Sequence, residues 1–114
     1  MARKAHAYSE QTLDTVRVLG LEIARARRAR RWTAQELSVR AGISRSTLYA
    51  VERGAPTVAI GVVFEVAALL GINLLGASPR ELPDLLERSR DRLALLPASV
   101  RTSAADADGA WDDF

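Results

Sequence analysis

The stretch TAQELSVRAGISRSTLYAVERG, residues 33–54, decides the fold, because its spacing describes two short helices joined by a tight turn. Thr33 with Glu36 three residues on makes a capping box, in which hydroxyl and carboxylate each satisfy a backbone N–H left free at a helix start. The helix begins there, buries Leu37 and Ala41, and stops at Gly42, which adopts a left-handed conformation at little steric cost. Ile43 is the apolar plug of the turn. Ser44 is a good N-cap for the next helix, whose Leu48 and Val51 lie three apart on one face while Arg45, Ser46, Tyr49 and Arg53 point elsewhere.

This is the spacing of a helix-turn-helix whose second helix carries a polar, basic outer face. A DNA major groove admits one such helix, with side chains at its N-terminal end reaching base edges and basic groups holding phosphates. Arg45 and Ser46 sit at that end. On spacing alone, solvated positions on an ordinary short helix look the same.

Charge narrows the choice. Residues 1–58 hold 11 Lys or Arg against 5 Asp or Glu, a balance of +6, whereas residues 59–114 hold 5 against 9, a balance of −4. The densest cluster, Arg25, Arg27, Arg28, Arg30 and Arg31, ends the helix that precedes the motif, where cations also suit the helix macrodipole. Its place next to a candidate reading helix makes it an expected electrostatic footprint for phosphate.

At 114 residues, 48% hydrophobic and 26% charged, the chain has the composition of one soluble domain with tails. The longest apolar stretch, Val58 to Leu75, is interrupted by Glu65 and Asn73 and reads as a core helix and its exit, so no membrane span is expected. The N-terminus MARKAHAYSEQ lacks the apolar run of a secretory signal and the chain has no cysteine, which favours a cytoplasmic protein, nucleoid-associated when bound to DNA. Catalysis is poorly supported. His6 is the only histidine, there is no Cys–His pair or soft metal site, and no glycine-rich phosphate loop joins the scattered carboxylates. No cofactor and no metal are expected.

Along the chain, residues 1–10 read as a flexible N-terminal segment and 11–76 as the DNA-binding domain. The spacing predicts a first helix from between Ser9 and Thr12 to about Arg31, with Leu13, Val16, Leu19, Ile23 and Ala26 on one face and Gly20 as a tolerated weak point. Gly54, Ala55 and Pro56 end the third helix. A fourth runs from about Ile60 to Leu70, with Val63, Phe64, Ala67 and Leu70 as its buried stripe. Residues 77–97 form an additional helix, for which Ser78 is the expected N-cap and Pro79 the first helical residue, Pro83 leaving that boundary open. Its Leu82, Leu85, Leu86 and Leu93 either pack on the four-helix core or form a dimer seam. Residues 98–114, rich in Ala, Ser and Asp, read as a flexible acidic-aromatic tail.

The stretch from about Leu19 to Leu70, with Ile23, Leu37, AGISRSTLYAVERG and a fourth helix ending LLG, resembles the Xre/Cro-type (lambda-repressor-like) helix-turn-helix domain. The resemblance implies an all-α, five-helix DNA-binding fold with disordered N- and C-terminal tails. More narrowly, GAPTVAIGVVFEVAALLGI, LALLPASVR and the acidic-aromatic C-terminus are similar to HipB-like antitoxins, which accompany HipA-type kinase toxins. That likeness implies a homodimeric repressor of its own operon that binds double-stranded operator DNA and restrains a HipA-like kinase partner. The broader likeness alone implies a stand-alone Xre-family regulator.

Carried over by position, the resemblance makes Arg45, Ser46 and Tyr49 candidates for base contact, with Ser44 and Thr47 nearer the phosphates and Arg53 at the far end of the helix. Where the family often has glutamine directly after the capping residue, this chain has Ala34, and the glutamine is Gln35. Gln35 is then the candidate phosphate contact of the second helix. Glu52 reads as a structural acid, with Arg40 as a possible partner, since a carboxylate facing phosphate is repelled. Trp111 and Phe114 stand among Asp106, Asp108, Asp112 and Asp113, in a stretch that cannot bury them locally. They are expected to anchor in a partner protein, the aspartates steering toward a basic rim; folding back over the basic face or covering an apolar patch are the alternatives.

Overall fold

The computed structural model describes residues 7–100, which form five α-helices: α1 (Glu10–Ala29), α2 (Ala34–Ala41), α3 (Arg45–Glu52), α4 (Ile60–Leu69) and α5 (Leu82–Ala94). No strand occurs among the described residues, and no described helix is long and apolar enough to cross a membrane. The chain divides into two compact units at Gly76 and Ala77.

In the first unit the starts of α1, α2 and α3 follow from their capping residues, whereas α4, preceded by Ala59, has no side-chain cap. The Ser9 hydroxyl accepts from Thr12 N–H at 3.2 Å ahead of α1, and Ser44 does the same for Thr47 at 3.0 Å ahead of α3. Thr33 and Glu36 form the reciprocal capping box of α2, at 3.0 and 2.9 Å. The Thr33 N–H, bonded to Glu36, holds that carboxyl below its ordinary pKa.

The helix exits share a single device. After α2, α3 and α4 a left-handed residue, Gly42, Gly54 or Gly71, lets the next N–H reach back to a carbonyl five residues earlier, as Ile43 does to Ser38 at 3.0 Å. After α1 the same position is Arg31, with φ of 59°, and Trp32 N–H reaches Arg27 O at 3.1 Å. The spacing predicted α1 to continue to about Arg31; it stops at Ala29 because this turn redirects the chain into α2. A side chain in the left-handed region is strained by about 1–2 kcal/mol, so packing of Trp32 and the turn must hold it there.

The core is Ile23 and Ala26 from α1, Leu37 from α2, Leu48 and Val51 from α3, and Val66, Ala67 and Leu70 from α4 and its exit, with Leu19, Trp32, Ile43, Val58 and Val62 packed around it. α3 packs on both α1 and α2, and α2 also packs on α4. Of the expected stripe of α4, Ala67 and Leu70 are buried and Val63 is half-buried against the core, but Phe64 is 44% exposed and Val66 is fully buried in its stead. Because α4 reads IGVVFEVAAL, apolar nearly all round, its period does not single out one face and tertiary packing selects it.

Gly20 is not the tolerated weak point that helix propensity suggests. It is buried, and a Cβ on it would stand 2.5 Å from the carbonyl oxygen of Glu52 and 2.7 Å from that of Val51. Gly54 answers it from the other side: a Cβ there would meet Arg17 Cα at 2.7 Å and Val16 O at 2.8 Å. The backbone of α1 therefore lies directly against the last turn of α3. Beside this approach, Arg27 grips Glu52 with two hydrogen bonds, Nε to Oε2 at 2.7 Å and Nη2 to Oε1 at 3.0 Å, and donates a third to Trp32 O at 3.0 Å. The partner of Glu52 is thus Arg27, 25 residues upstream, and not Arg40. Both side chains are largely buried, 12% and 15% exposed, and the bonds that Arg27 donates to Glu52 raise the pKa of its guanidinium further.

The second unit contains α5. The regular helix starts at Leu82, with Glu81 at its cap, later than the Ser78-Pro79 pattern predicted. Ser78 to Glu81 form a turn in which Ser78 O accepts from Glu81 and Leu82 N–H at 2.9 and 3.1 Å, while Ser78 N–H donates to the Glu81 carboxylate at 2.8 Å. Beginning at Leu82 puts Pro83 in the first turn, where its missing N–H leaves no bond unmade. None of the residues of α5 is buried.

Two outcomes test the α1–α3 contact. Gly20→Ala raises helix propensity by about 1 kcal/mol, yet the overlap with carbonyl oxygens makes a net loss of about 1–3 kcal/mol the expected result in urea denaturation. A variant more stable than the parent would mean that the helices part freely. Glu52→Ala leaves the Arg27 charge buried without its partner and is expected to cost about 3 kcal/mol, a large share of the roughly 5–15 kcal/mol that holds a domain folded. Arg27→Met combined with Glu52→Leu recovers most of that loss in the same titration if desolvation, and not shape, is responsible.

Candidate nucleic-acid interface

The face opposite the core side of α3 carries the candidate residues. Leu48 and Val51 anchor the helix inward, 1% and 4% exposed. Arg45 and Ser46, the first two residues of α3, are exposed, and Tyr49, one turn further, is 67% exposed. A basic group, a hydroxyl and a phenol thus line one outward strip, each able to donate a hydrogen bond to a base edge or a phosphate. Arg53 follows at the end of α3, with its guanidinium 5.5 Å from the Tyr49 ring centroid. That cation–π contact orients both groups at the far end of the strip.

Ser44 and Thr47 have a different immediate task. The Ser44 hydroxyl accepts from Thr47 N–H and donates to Thr47 Oγ1 at 2.9 Å, so the pair builds the cap that presents Arg45 and Ser46. Gln35 lies exposed in the first turn of α2, its carbonyl accepting from the buried Ser38 hydroxyl at 2.9 Å. Immediately after it, Glu36 is drawn onto Thr33 N–H. The amide of Gln35 is therefore the polar side chain that α2 offers outward at this end, beside an already occupied cap.

The arginine cluster at the end of α1 separates into distinct roles. Arg25 pairs with Glu22 one turn before it, at 2.7 and 3.1 Å on the surface. Arg27 is engaged with Glu52 inside the domain. Arg30 lies 5.6 Å, and Arg40 of α2 4.2 Å, from the centroid of the half-buried Trp32 ring. Arg28 and Arg31 are exposed. The sequence-level footprint of five arginines is thus partly structural.

Trp32 is the residue that spacing did not single out. It closes the α1–α2 turn, packs against the core, and receives the Arg27 bond at its carbonyl. Its only sequence signal is an indole between a run of arginines and a capping threonine. Trp111 and Phe114 lie outside the described residues.

Residues 23–76 match a family model described as helix-turn-helix. No curated protein and no solved structure matches the chain. The matched span begins at core residue Ile23, contains α2, the turn, α3 and α4, and ends at Gly76, where the first compact unit ends. Family match and capped helix pair agree that residues 23–76 form a helix-turn-helix, whose outward basic strip has the chemistry a DNA major groove accepts.

Proposed function

We propose that the protein is a homodimeric, sequence-specific transcriptional repressor that reads double-stranded operator DNA with α3, and that it is the antitoxin of a HipA-type kinase toxin whose operon it regulates. The observation that carries the DNA reading is the pairing of an exposed Arg45–Ser46 first turn with a helix held rigidly from behind by Leu48, Val51 and Glu52. A reading helix must not yield when its side chains engage base edges, since a loosely held donor forfeits the discrimination a bidentate contact provides. In this reading Arg45 pairs with the O6 and N7 of a guanine, Ser46 and Tyr49 with neighbouring edges or phosphates, and Arg53 and Gln35 with the backbone on either side.

The antitoxin part rests on the sequence likeness of residues 54–72 and 93–101 to HipB-like proteins and on the acidic-aromatic C-terminus. Trp111 and Phe114 are the anchors assigned to the kinase, with four aspartates to steer them. The second reading is a stand-alone Xre-family regulator, with which the helix-turn-helix match agrees equally well. A kinase-like gene beside this one distinguishes the two.

Arg45→Ala is expected to weaken binding to the specific site by about 1–3 kcal/mol and to relax preference at one base pair, as read by titrating both proteins against operator variants. An equal loss on every sequence would reduce Arg45 to a phosphate contact. For the antitoxin reading, removing residues 106–114 is expected to leave the melting temperature and operator affinity nearly unchanged and to weaken binding to the kinase by at least about 2 kcal/mol, more than tenfold. Calorimetric titration of the kinase with both forms decides it: undiminished binding rejects the anchors.

A further inference from the structure

The exit of α1 departs from the pattern of the other helices. After α2, α3 and α4 the left-handed position is glycine, at φ of 70°, 75° and 73°, whereas after α1 it is Arg31 at 59°. Glycine takes this conformation freely because it has no Cβ to meet the backbone. A long side chain there is an outlier that calls for a reason. The fold supplies none. The turn is closed by backbone bonds, Arg31 N–H to Arg28 O at 2.9 Å and Trp32 N–H to Arg27 O at 3.1 Å, and by the Arg27 guanidinium on Trp32 O at 3.0 Å. The Arg31 side chain is exposed, and among the described residues it meets no carboxylate, carbonyl acceptor or aromatic ring. Glycine would close the same turn.

A use for the guanidinium lies just ahead in the chain. Thr33, two residues on, caps α2, and Gln35 in the first turn is the α2 residue read above as a phosphate contact. The Thr33 N–H holds the Glu36 carboxylate at this helix start and keeps it ionised. A phosphate approaching Gln35 therefore meets a negative charge unless a cation stands beside it. Arg40 is committed to the Trp32 ring at 4.2 Å, and Arg30 lies over the same ring, with Nη2 3.4 Å from where a Cβ on Gly71 would stand. Arg28 is exposed, but lies back within α1. Arg31 is the guanidinium next to the α2 cap that no such contact engages.

Resting on the DNA reading above, we propose that Arg31 contacts the DNA phosphate backbone beside Gln35, and that the chain keeps a strained arginine at the exit of α1 for this contact. A guanidinium pairs bidentately with phosphate oxygens and stays charged throughout the physiological range. Such a contact fixes register on the duplex and carries no base preference. It strengthens binding to every sequence alike, in contrast to Arg45, while the left-handed backbone beneath it weakens the fold.

The test titrates a mixed-sequence DNA duplex with the full-length protein and its Arg31→Gly, Arg31→Lys and Arg88→Gln variants over a range of salt, and unfolds each protein in urea. Arg88→Gln removes one charge from the second unit and controls for net charge. Arg31→Gly is expected to lower the slope of log affinity against log salt by about 0.9, the counterion release of one phosphate, and to bind several-fold more weakly at about 0.1 M salt. Its urea midpoint is expected to be no lower than that of the parent, because relief of left-handed strain outweighs the freedom glycine gives the unfolded chain. Arg31→Lys keeps a cation on the same backbone and is expected to retain most of the slope. Parental affinity and slope in Arg31→Gly overturn the contact, as does a loss no larger than that of Arg88→Gln. A lower urea midpoint in Arg31→Gly means that the side chain holds the turn, and overturns the claim that the arginine is kept for DNA. A parent protein that binds no duplex even at low salt overturns the DNA reading itself, and this proposal with it.

Discussion

The direct backbone contact between α1 and the last turn of α3 is the constraint on which the rest of the domain depends. Two glycines make it possible, Gly20 because a Cβ would overlap the carbonyls of Val51 and Glu52, and Gly54 because a Cβ would overlap α1 at Val16 and Arg17. A contact this close leaves no room for an interposed side chain, so the angle and height of α3 relative to α1 are set within narrow limits. The Arg27–Glu52 pair then locks the arrangement with directional, charge-assisted bonds in a poorly hydrated position. Such a pair adds little net stability against a hydrophobic replacement, but its geometry is specific. Arg27 also holds the Trp32 carbonyl, so one guanidinium ties α1, the exit of α3 and the α1–α2 turn together.

From that anchoring follows the division of labour along α3. Its inner positions are committed to the core and its last residue to α1, while its first turn is free to project Arg45 and Ser46 from a cap closed by Ser44 and Thr47. The rigidity lies on one side of the helix and the chemistry on the other. The arginines at the end of α1 divide in the same way: some hold the domain together or rest on Trp32, and Arg28 and Arg31 face outward. Counting basic residues in the sequence therefore overstates the charge available to a phosphate backbone.

Much of this architecture is legible in the sequence. The capping box at Thr33 and Glu36, the stop at Gly42, the cap at Ser44 and the inward pair Leu48 and Val51 depend only on residues a few positions apart, and each lies where local chemistry puts it. The buried stripe of α4 is legible there only in part, Ala67 and Leu70, since a helix apolar on every side offers no period from which to choose Val66 over Phe64. The late start of α5 turns on a competition between two prolines that spacing alone does not rank.

The sequence by itself determined much of the local grammar of the chain: where α2 and α3 begin and end, which of their faces are apolar, and which polar residues stand at the entrance of α3. Those features arise from backbone groups and side chains within one or two turns of each other, and their energies do not depend on distant partners. Only the tertiary structure decided that Glu52 belongs to Arg27, that Arg30 and Arg40 share Trp32, and that Gly20 is required and not merely tolerated. Each of those is a contact between residues far apart along the chain or on different helices. Their meeting depends on how α1 crosses α3, and that crossing is set by the sum of packing in the core, which no local spacing encodes.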